Sequence, residues 1–322
     1  MYGKHVWSLI LAAGEGSRLR SLTTTAAGIS VPKQFCTLRG GPSLLQQTVT
    51  RAAAVSCVNR IVHVVAAQHR FWWEASLEAT RSQNIIVQPL NKGTATGLLL
   101  PLLHIARRDP EATVVVLPSD HFVRHEGLLT SALRQAVRLA GIDRRSIHLL
   151  GMTPEEPDPE LGYIVPKASS VALAAEGEYF VEKPDLITAQ RLIRAGALWN
   201  AFILTASARA FINLYEVRYP ALVRKLIDVV SRDAYAPVEA TAAYLEYPRL
   251  PTLDFSRDVL QGHESRLRVV TVPPCGWSDL GTPKRVIETL GRVGPSSAVP
   301  VRHQPATFLS LADQHLLQSA TN

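Results

Sequence analysis

Over its first 150 residues the chain alternates short apolar runs with longer stretches of helical period. Residues 5–11, 60–66 (RIVHVVA), 84–87, 112–117 (ATVVVL) and 147–150 are dominated by apolar side chains and predict buried strands. Residues 44–54, 71–80, 93–108 and 128–139 carry apolar positions at helical spacing, and Ser43 is placed to cap the first of them. Apolar strands alternating with helices predict a parallel sheet covered on both faces. Ligands of such sheets gather beyond the carboxyl ends of the strands. The loops after Leu11, Val87 and Leu117 are therefore expected to line one mouth.

Beyond residue 150 the rhythm changes. Pro154, Pro157 and Pro159 predict an irregular loop, and residues 162–165, 179–182, 199–205 and 268–272 predict strands of a mixed extension. Residues 186–194, 206–219, a stretch running to about Tyr244, and 282–292 predict helices. No linker or internal repeat divides residues 1–292, which read as one α/β domain, followed by a tail over 293–322. The tail is Pro- and Ser-rich over 294–305. Residues 307–317 read as a short amphipathic helix, and Phe308, Leu309, Leu311, Leu316 and Leu317 are expected to pack on the core or on a second subunit, which leaves a homodimer open.

Composition adds exclusions. A hydrophobic share of 47% with 19% charged residues suits a globular chain and excludes wholesale disorder. The formal net charge is +7, but basic residues come in pairs at most, so no nucleic-acid arm is present. A basic balance also suits polyanionic substrates. Cys36, Cys57 and Cys275 lie far apart with no CxxC or CxxH spacing, which argues against zinc and fits a reducing compartment. The apolar run near the N-terminus breaks at glycine, and no apolar stretch suits a membrane span. The expectation is a cytoplasmic protein.

Six segments carry candidate chemistry. LAAGEGSRLR (residues 11–20) follows the first strand, and its glycines let backbone amides approach a phosphate. It lacks the GK[ST] of a Walker loop and the third glycine of a dinucleotide fingerprint, so alone it reads equally as a structural turn. Arg18 adds a bidentate phosphate donor. Lys33 in VPKQF, otherwise a solvated lysine, could complete a cationic clamp. QPLNKGTA (residues 88–95) opens a helix with Gly93 and Thr94, for ligand binding or simple capping. Asp120 in LPSDH sits at the carboxyl end of a strand, where a Mg²⁺ ligand or a cap would sit, and His121 reads as structural. Glu182 and Lys183 in FVEKP form a polar pair, and Asp279 in WSDLG offers a second carboxylate.

Taken in order, these segments resemble the sugar-nucleotide pyrophosphorylases, nucleotidyltransferases with a Rossmann-like core. Gly162-Tyr163, LWNAFI (residues 198–203) and LDFSRDVL (residues 253–260) extend the resemblance over nearly the whole chain. The PKQF and PSDH forms favour the mannose-1-phosphate guanylyltransferase branch. The resemblance implies a mostly parallel mixed sheet flanked by helices. It implies that GTP and mannose 1-phosphate give GDP-mannose and pyrophosphate with Mg²⁺. The same chemistry with another triphosphate or sugar 1-phosphate, such as glucose 1-phosphate, and an inactive sugar-nucleotide sensor are the alternatives. It places Leu11, Ala12, Ala13, Gly14, Gly16, Ser17, Gln88, Gly93 and Thr94 around the nucleotide. Arg18, Lys33, Asp120 and Lys183 are implied as catalytic. Gly162, Tyr163, Glu182, Lys183 and Asn200 are implied at the sugar phosphate, and Asp120 and Asp279 at the metal. No β-helix or isomerase domain is inferred after the last helix. The chain departs from the pattern where LAGGxGTRL carries Ala13 and Ser17, where Arg-Asn-Thr-Ala becomes Lys92-Gly93-Thr94-Ala95, where SIDYAVME becomes the 253–260 run, and where WNSG becomes Trp199-Asn200-Ala201-Phe202, losing a glycine in the sugar pocket.

Overall fold

The computed structural model describes residues 3–25, 28–38, 40–167, 174–232 and 242–292. The tail with its expected helix, and part of the stretch leading to Tyr244, lie outside the described residues. The strands are β1 (Val6–Ala12), β2 (Ile61–Ala66), β3 (Ile85–Gln88), β4 (Thr113–Pro118), β5 (Ile147–Met152), β6 (Gly162–Pro166), β7 (Ala175–Val181), β8 (Leu198–Ser207) and β9 (Leu267–Val272). The helices are α1 (Arg20–Thr23), α2 (Leu44–Ala53), α3 (Arg70–Ser76), α4 (Gly93–Arg108), α5 (Glu126–Ile142), α6 (Leu186–Arg194), α7 (Ala208–Arg218), α8 (Pro220–Arg232), α9 (Ala242–Glu246) and α10 (Pro283–Arg292). Ser43 caps α2 as expected, within a reciprocal capping box with Gln46.

One nine-stranded sheet runs in the order β3-β2-β1-β4-β8-β5-β9-β7-β6. Its first four strands are parallel. Beyond them β8 inserts antiparallel between β4 and β5, giving the mostly parallel mixed sheet that was expected. β5 and β9 are parallel, and β6 and β7 pair antiparallel. β6 also pairs back onto the start of β8, so β8, β5, β9, β7 and β6 close into a ring.

The two-residue period of the strands builds two cores from one sheet. Ile10, Val65, Val115 and Leu117 face α2 and α5, whose Leu44, Leu45, Leu129 and Leu133 complete one cluster. Leu9, Val64, Val114 and Val116 face α4, α7 and α8. Both faces are buried, so these strands carry no polar alternation.

Helix α4 contains Pro101 and still runs unbroken. Proline removes the N–H that would bond to the residue four earlier, here Gly97. The Gln88 side chain donates its Nε2 to that carbonyl at 3.1 Å. Gly97 has no side chain because a Cβ would lie 2.8 Å from this Nε2. Gln88 is 5% exposed and serves the helix. Gln88→Leu keeps the volume and leaves the Gly97 carbonyl without its donor, so chemical denaturation should show a loss of about 1–3 kcal/mol.

Candidate active site

The glycine-rich loop is held by its carbonyls. Ser119 Oγ donates to the Leu11 carbonyl at 2.7 Å. Gln34 Nε2 donates to the carbonyls of Ala12 and Gly14, each at 3.0 Å. The same loop leaves its amides open: among the described residues, the N–H groups of residues 14–17 take no acceptor. Gly16 adopts φ +62°, which begins the turn Ser17–Leu19. Fixed carbonyls together with open amides are what a backbone anion site requires. Arg18 projects from this loop, exposed, and pairs with Glu160 at 2.5 Å. Tyr163 holds the opposite loop, its hydroxyl accepting from the Asp158 N–H at 2.8 Å and donating to the Asp158 carbonyl at 3.0 Å.

Lys33, expected near phosphates, is buried at 6% exposure. Its ammonium donates to the carbonyls of Asp279 (2.7 Å) and Leu280 (3.3 Å) and pairs with Asp120 at 2.9 Å. It is thus a bracket between the end of β4 and the WSDLG segment. A backbone bridge pins the same two segments, with Phe122 and Ser278 exchanging N–H···O bonds of 2.9 and 3.0 Å. The Trp277 Nε1–H donates to His121 Nδ1 at 3.2 Å. Burial lowers the His121 pKa to about 4, so the imidazole is neutral and its proton sits on Nε2, toward Asp120. Partial burial opposes ionisation of Asp120, but Lys33 and the other local donors outweigh it and its pKa is lowered. Asp279 accepts from Arg285, which also pairs with Asp158 at 3.3 Å.

The third wall comes from β6, β8 and the segment before the π-helical turn Ser256–Leu260. Gly162 and Asn200 are register partners, and a Cβ on Gly162 would fall 2.5 Å from Glu182 Oε2. Three of the expected sugar-contact positions therefore meet. Burial raises the Glu182 pKa to about 7, with Asp254 adding to the shift. Thr94 Oγ1 accepts from the Phe255 N–H at 2.8 Å and donates to Asp254 Oδ2 at 3.3 Å. Gly93, at φ +76°, lets the Leu253 carbonyl approach: a Cβ there would sit 2.2 Å from its oxygen. The 251–258 segment thereby docks on the start of α4.

These walls enclose a cavity of about 320 Å³. Of the candidate residues, Leu11, Gly14, Gly16, Arg18, Lys33, Thr94, Asp120, Glu182, Lys183 and Asp279 line it. Ala12, Ala13, Ser17, Gln88, Gly93, Gly162, Tyr163 and Asn200 do not line it and act behind or beside it. Gln34, Ser119, His121, Phe202, Asp254 and Ser256 line it as well. Gln34 and Ser119 stand within the motifs that supplied Lys33 and Asp120, and their adjacency was the available signal. Among the described residues, three non-glycine residues have left-handed backbone: Lys183 (φ 47°), Phe202 (φ 54°) and Leu280 (φ 48°). Two line the cavity and the third gives its carbonyl to Lys33, so backbone strain collects at this site.

The sequence profile of the family "Nucleotidyl transferase" matches residues 7–293, and the chain belongs to that family. It is 30% identical over 300 residues to the xanthan biosynthesis protein XanB of Xanthomonas campestris, covering 91% of this chain and 61% of that protein. It is 29% identical to the mannose-1-phosphate guanylyltransferase of Escherichia coli K12, covering 86% of this chain and 58% of that one. The chain thus spans about three-fifths of the length of these curated relatives. Its fold matches a crystal structure described as mannose-1-phosphate geranyltransferase from Thermus thermophilus, with TM-score 0.75, 27% identity, and 90% and 80% of the two chains covered.

The geometry separates two cations. Lys33→Ala should cost about 2–3 kcal/mol of stability, because it strips two carbonyls and a carboxylate of their donor, whereas Arg18→Ala should cost under about 1 kcal/mol as an exposed pair. Thermal melts of the two variants check this. Glu182 supplies a pH dependence. The unfolded carboxyl ionises near 4.5 while the folded one holds its proton to about 7. Stability therefore falls as pH rises through that window, by up to about 3 kcal/mol, and is level above it. Glu182→Gln should flatten that decline in melts taken from pH 4 to 8.

Proposed function

We propose that this chain is a nucleotidyltransferase that joins GTP to mannose 1-phosphate, giving GDP-mannose and pyrophosphate. The observation that carries the reading is the convergence on one cavity of the glycine-rich loop, Lys33, Asp120, Glu182, Lys183 and Asp279. The names of the relatives support the choice of sugar and base.

In this reading an oxygen of the sugar 1-phosphate attacks the α-phosphorus in line. The new P–O bond forms as the bond from the α-phosphorus to the β-phosphate oxygen breaks, and pyrophosphate leaves. No protein nucleophile takes part. The open amides of residues 14–17 bind the triphosphate. Arg18 exchanges Glu160 for the β- and γ-phosphates, a small sacrifice because an exposed pair is worth about 0–1 kcal/mol. Lys183 binds the sugar phosphate and Glu182 its sugar. Lys33 holds Asp120 and the WSDLG segment in register and contributes positive charge near the reacting centre.

Asp120 and Asp279 fit Mg²⁺ by donor chemistry. Both are carboxylates at one mouth, and Mg²⁺ favours one or two carboxylates completed by phosphates and water. When bound, the ion neutralises phosphate charge.

The test is pyrophosphate release from GTP and mannose 1-phosphate with Mg²⁺, run beside a panel of triphosphates and sugar 1-phosphates. Turnover is expected, with the rate falling by about 10²–10³ in Asp120→Asn. No release above the Asp120→Asn background with any pair would overturn the reading, and tight GDP-mannose binding without turnover would point to a sensor.

A further inference from the structure

Strand β8 bulges where it passes the cavity. His148 and Leu149 of β5 pair with Thr205 and Leu204, but Gly151 pairs with Asn200, so residues 201–203 of β8 span a single residue of its neighbour. Such bulges re-aim side chains beside ligand sites. Phe202 is the middle residue. Its backbone is left-handed at φ 54°, a conformation that favours glycine. The Asn200 side chain holds it there, its Oδ1 accepting from the Phe202 N–H at 3.1 Å. This is the position at which the family pattern WNSG has glycine.

A strained aromatic residue persists when its ring does something a glycine cannot. The Phe202 ring lines the cavity with Glu182 and Lys183. Its position is fixed by an edge contact with Phe255, the centroids 5.9 Å apart at 72°. Phe255 is itself fully buried against Phe211 and Tyr215. The ring therefore stands on a rigid aromatic base, in space that a glycine would leave to the ligand. The neighbouring acceptor groups are Glu182, Asp254 and Ser256.

We propose that Phe202 is a specificity-determining residue of the acceptor subsite. It presents an apolar wall that favours sugar 1-phosphates with a C–H face toward the ring and rejects those that would bury a hydroxyl there. The physical basis is asymmetric. A C–H face gains contact and loses no hydrogen bond, while a hydroxyl against the ring loses water and finds no partner. The inference deepens the nucleotidyltransferase reading and rests on its assignment of Glu182 and Lys183 to the sugar phosphate.

Calorimetric binding of a panel of sugar 1-phosphates (mannose, glucose, galactose and a deoxy sugar) is compared in wild type, Phe202→Gly and Phe202→Asn, the last being a left-handed-tolerant polar replacement. Turnover of the same panel with GTP is measured in parallel. In both variants the preferred sugar 1-phosphate should bind about tenfold more weakly, and the selectivity across the panel should shrink by a similar factor. GTP affinity should be unchanged, and the melting temperature of Phe202→Gly should not fall, since strain is relieved as contact is lost. Unchanged selectivity in both variants overturns the inference and leaves the nucleotidyltransferase reading standing. Altered selectivity with no turnover in wild type upholds this inference and overturns that reading. A wild type that binds no sugar 1-phosphate overturns both.

Discussion

A buried ammonium needs partners, and the partners of Lys33 decide the shape of the site. Its Nζ reaches one carboxylate and two carbonyls from segments 159 residues apart, Asp120 at the end of β4 and Asp279-Leu280 in the WSDLG turn. An isolated charge at 6% exposure would be costly. Satisfying it locks the Lys33–Phe35 turn, β4 and the late segment into one register. The Phe122–Ser278 bridge and the Trp277–His121 hydrogen bond then fix the same junction from the backbone and the aromatic side. The two carboxylates meet because of this junction.

Around that bracket the cavity is built by turning polar groups in chosen directions. Gln34 and Ser119 draw the carbonyls of the glycine-rich loop inward, which leaves its amides outward. Arg18 is parked on Glu160 at low cost and so remains available. The backbone of this wall is thus fixed by its carbonyl hydrogen bonds, while the Arg18 side chain lies exposed. The opposite wall is different in character: Lys183 and Phe202 hold left-handed backbone, and burial raises the Glu182 carboxyl to about 7, so that it is half protonated near neutral pH. Strain and desolvation thus mark one wall of the cavity and open amides the other.

The strands and helices of the first half were legible because their cause is local. Apolar runs such as ATVVVL fill both faces of β4, and the Ser43–Gln46 capping box marks its helix start without help from elsewhere. Helix α5 runs from Glu126, two residues earlier than the apolar period suggested, because its first two residues, Glu126 and Gly127, carry no apolar side chain and Glu126 pairs with Arg51. The position of β8 was not legible. Its apolar run is compatible with any buried strand, and its place between β4 and β5, with α5 packed across β4, β5, β8 and β9, exists only in the folded sheet. Gln88 illustrates the same limit within a motif. It stands where a ligand contact belongs in the pattern, but Pro101, thirteen residues on, leaves the Gly97 carbonyl without its helical donor and Gln88 supplies one.

By itself the sequence determined the types of element, the alternation that makes a two-faced sheet, and the set of charged and glycine residues available for phosphate chemistry. Those depend on periodicity and on residue chemistry, which act over a few positions. The tertiary structure decided which of those groups share a cavity and which are consumed in holding it. Lys33 became a bracket, Gln88 and Tyr163 became supports, and Phe202, Gln34, Ser119 and Asp254 came to line the site. The physical reason is that a hydrogen bond or an ion pair is settled by whichever partner the folded backbone brings within about 3 Å, and sequence separation says nothing of that distance.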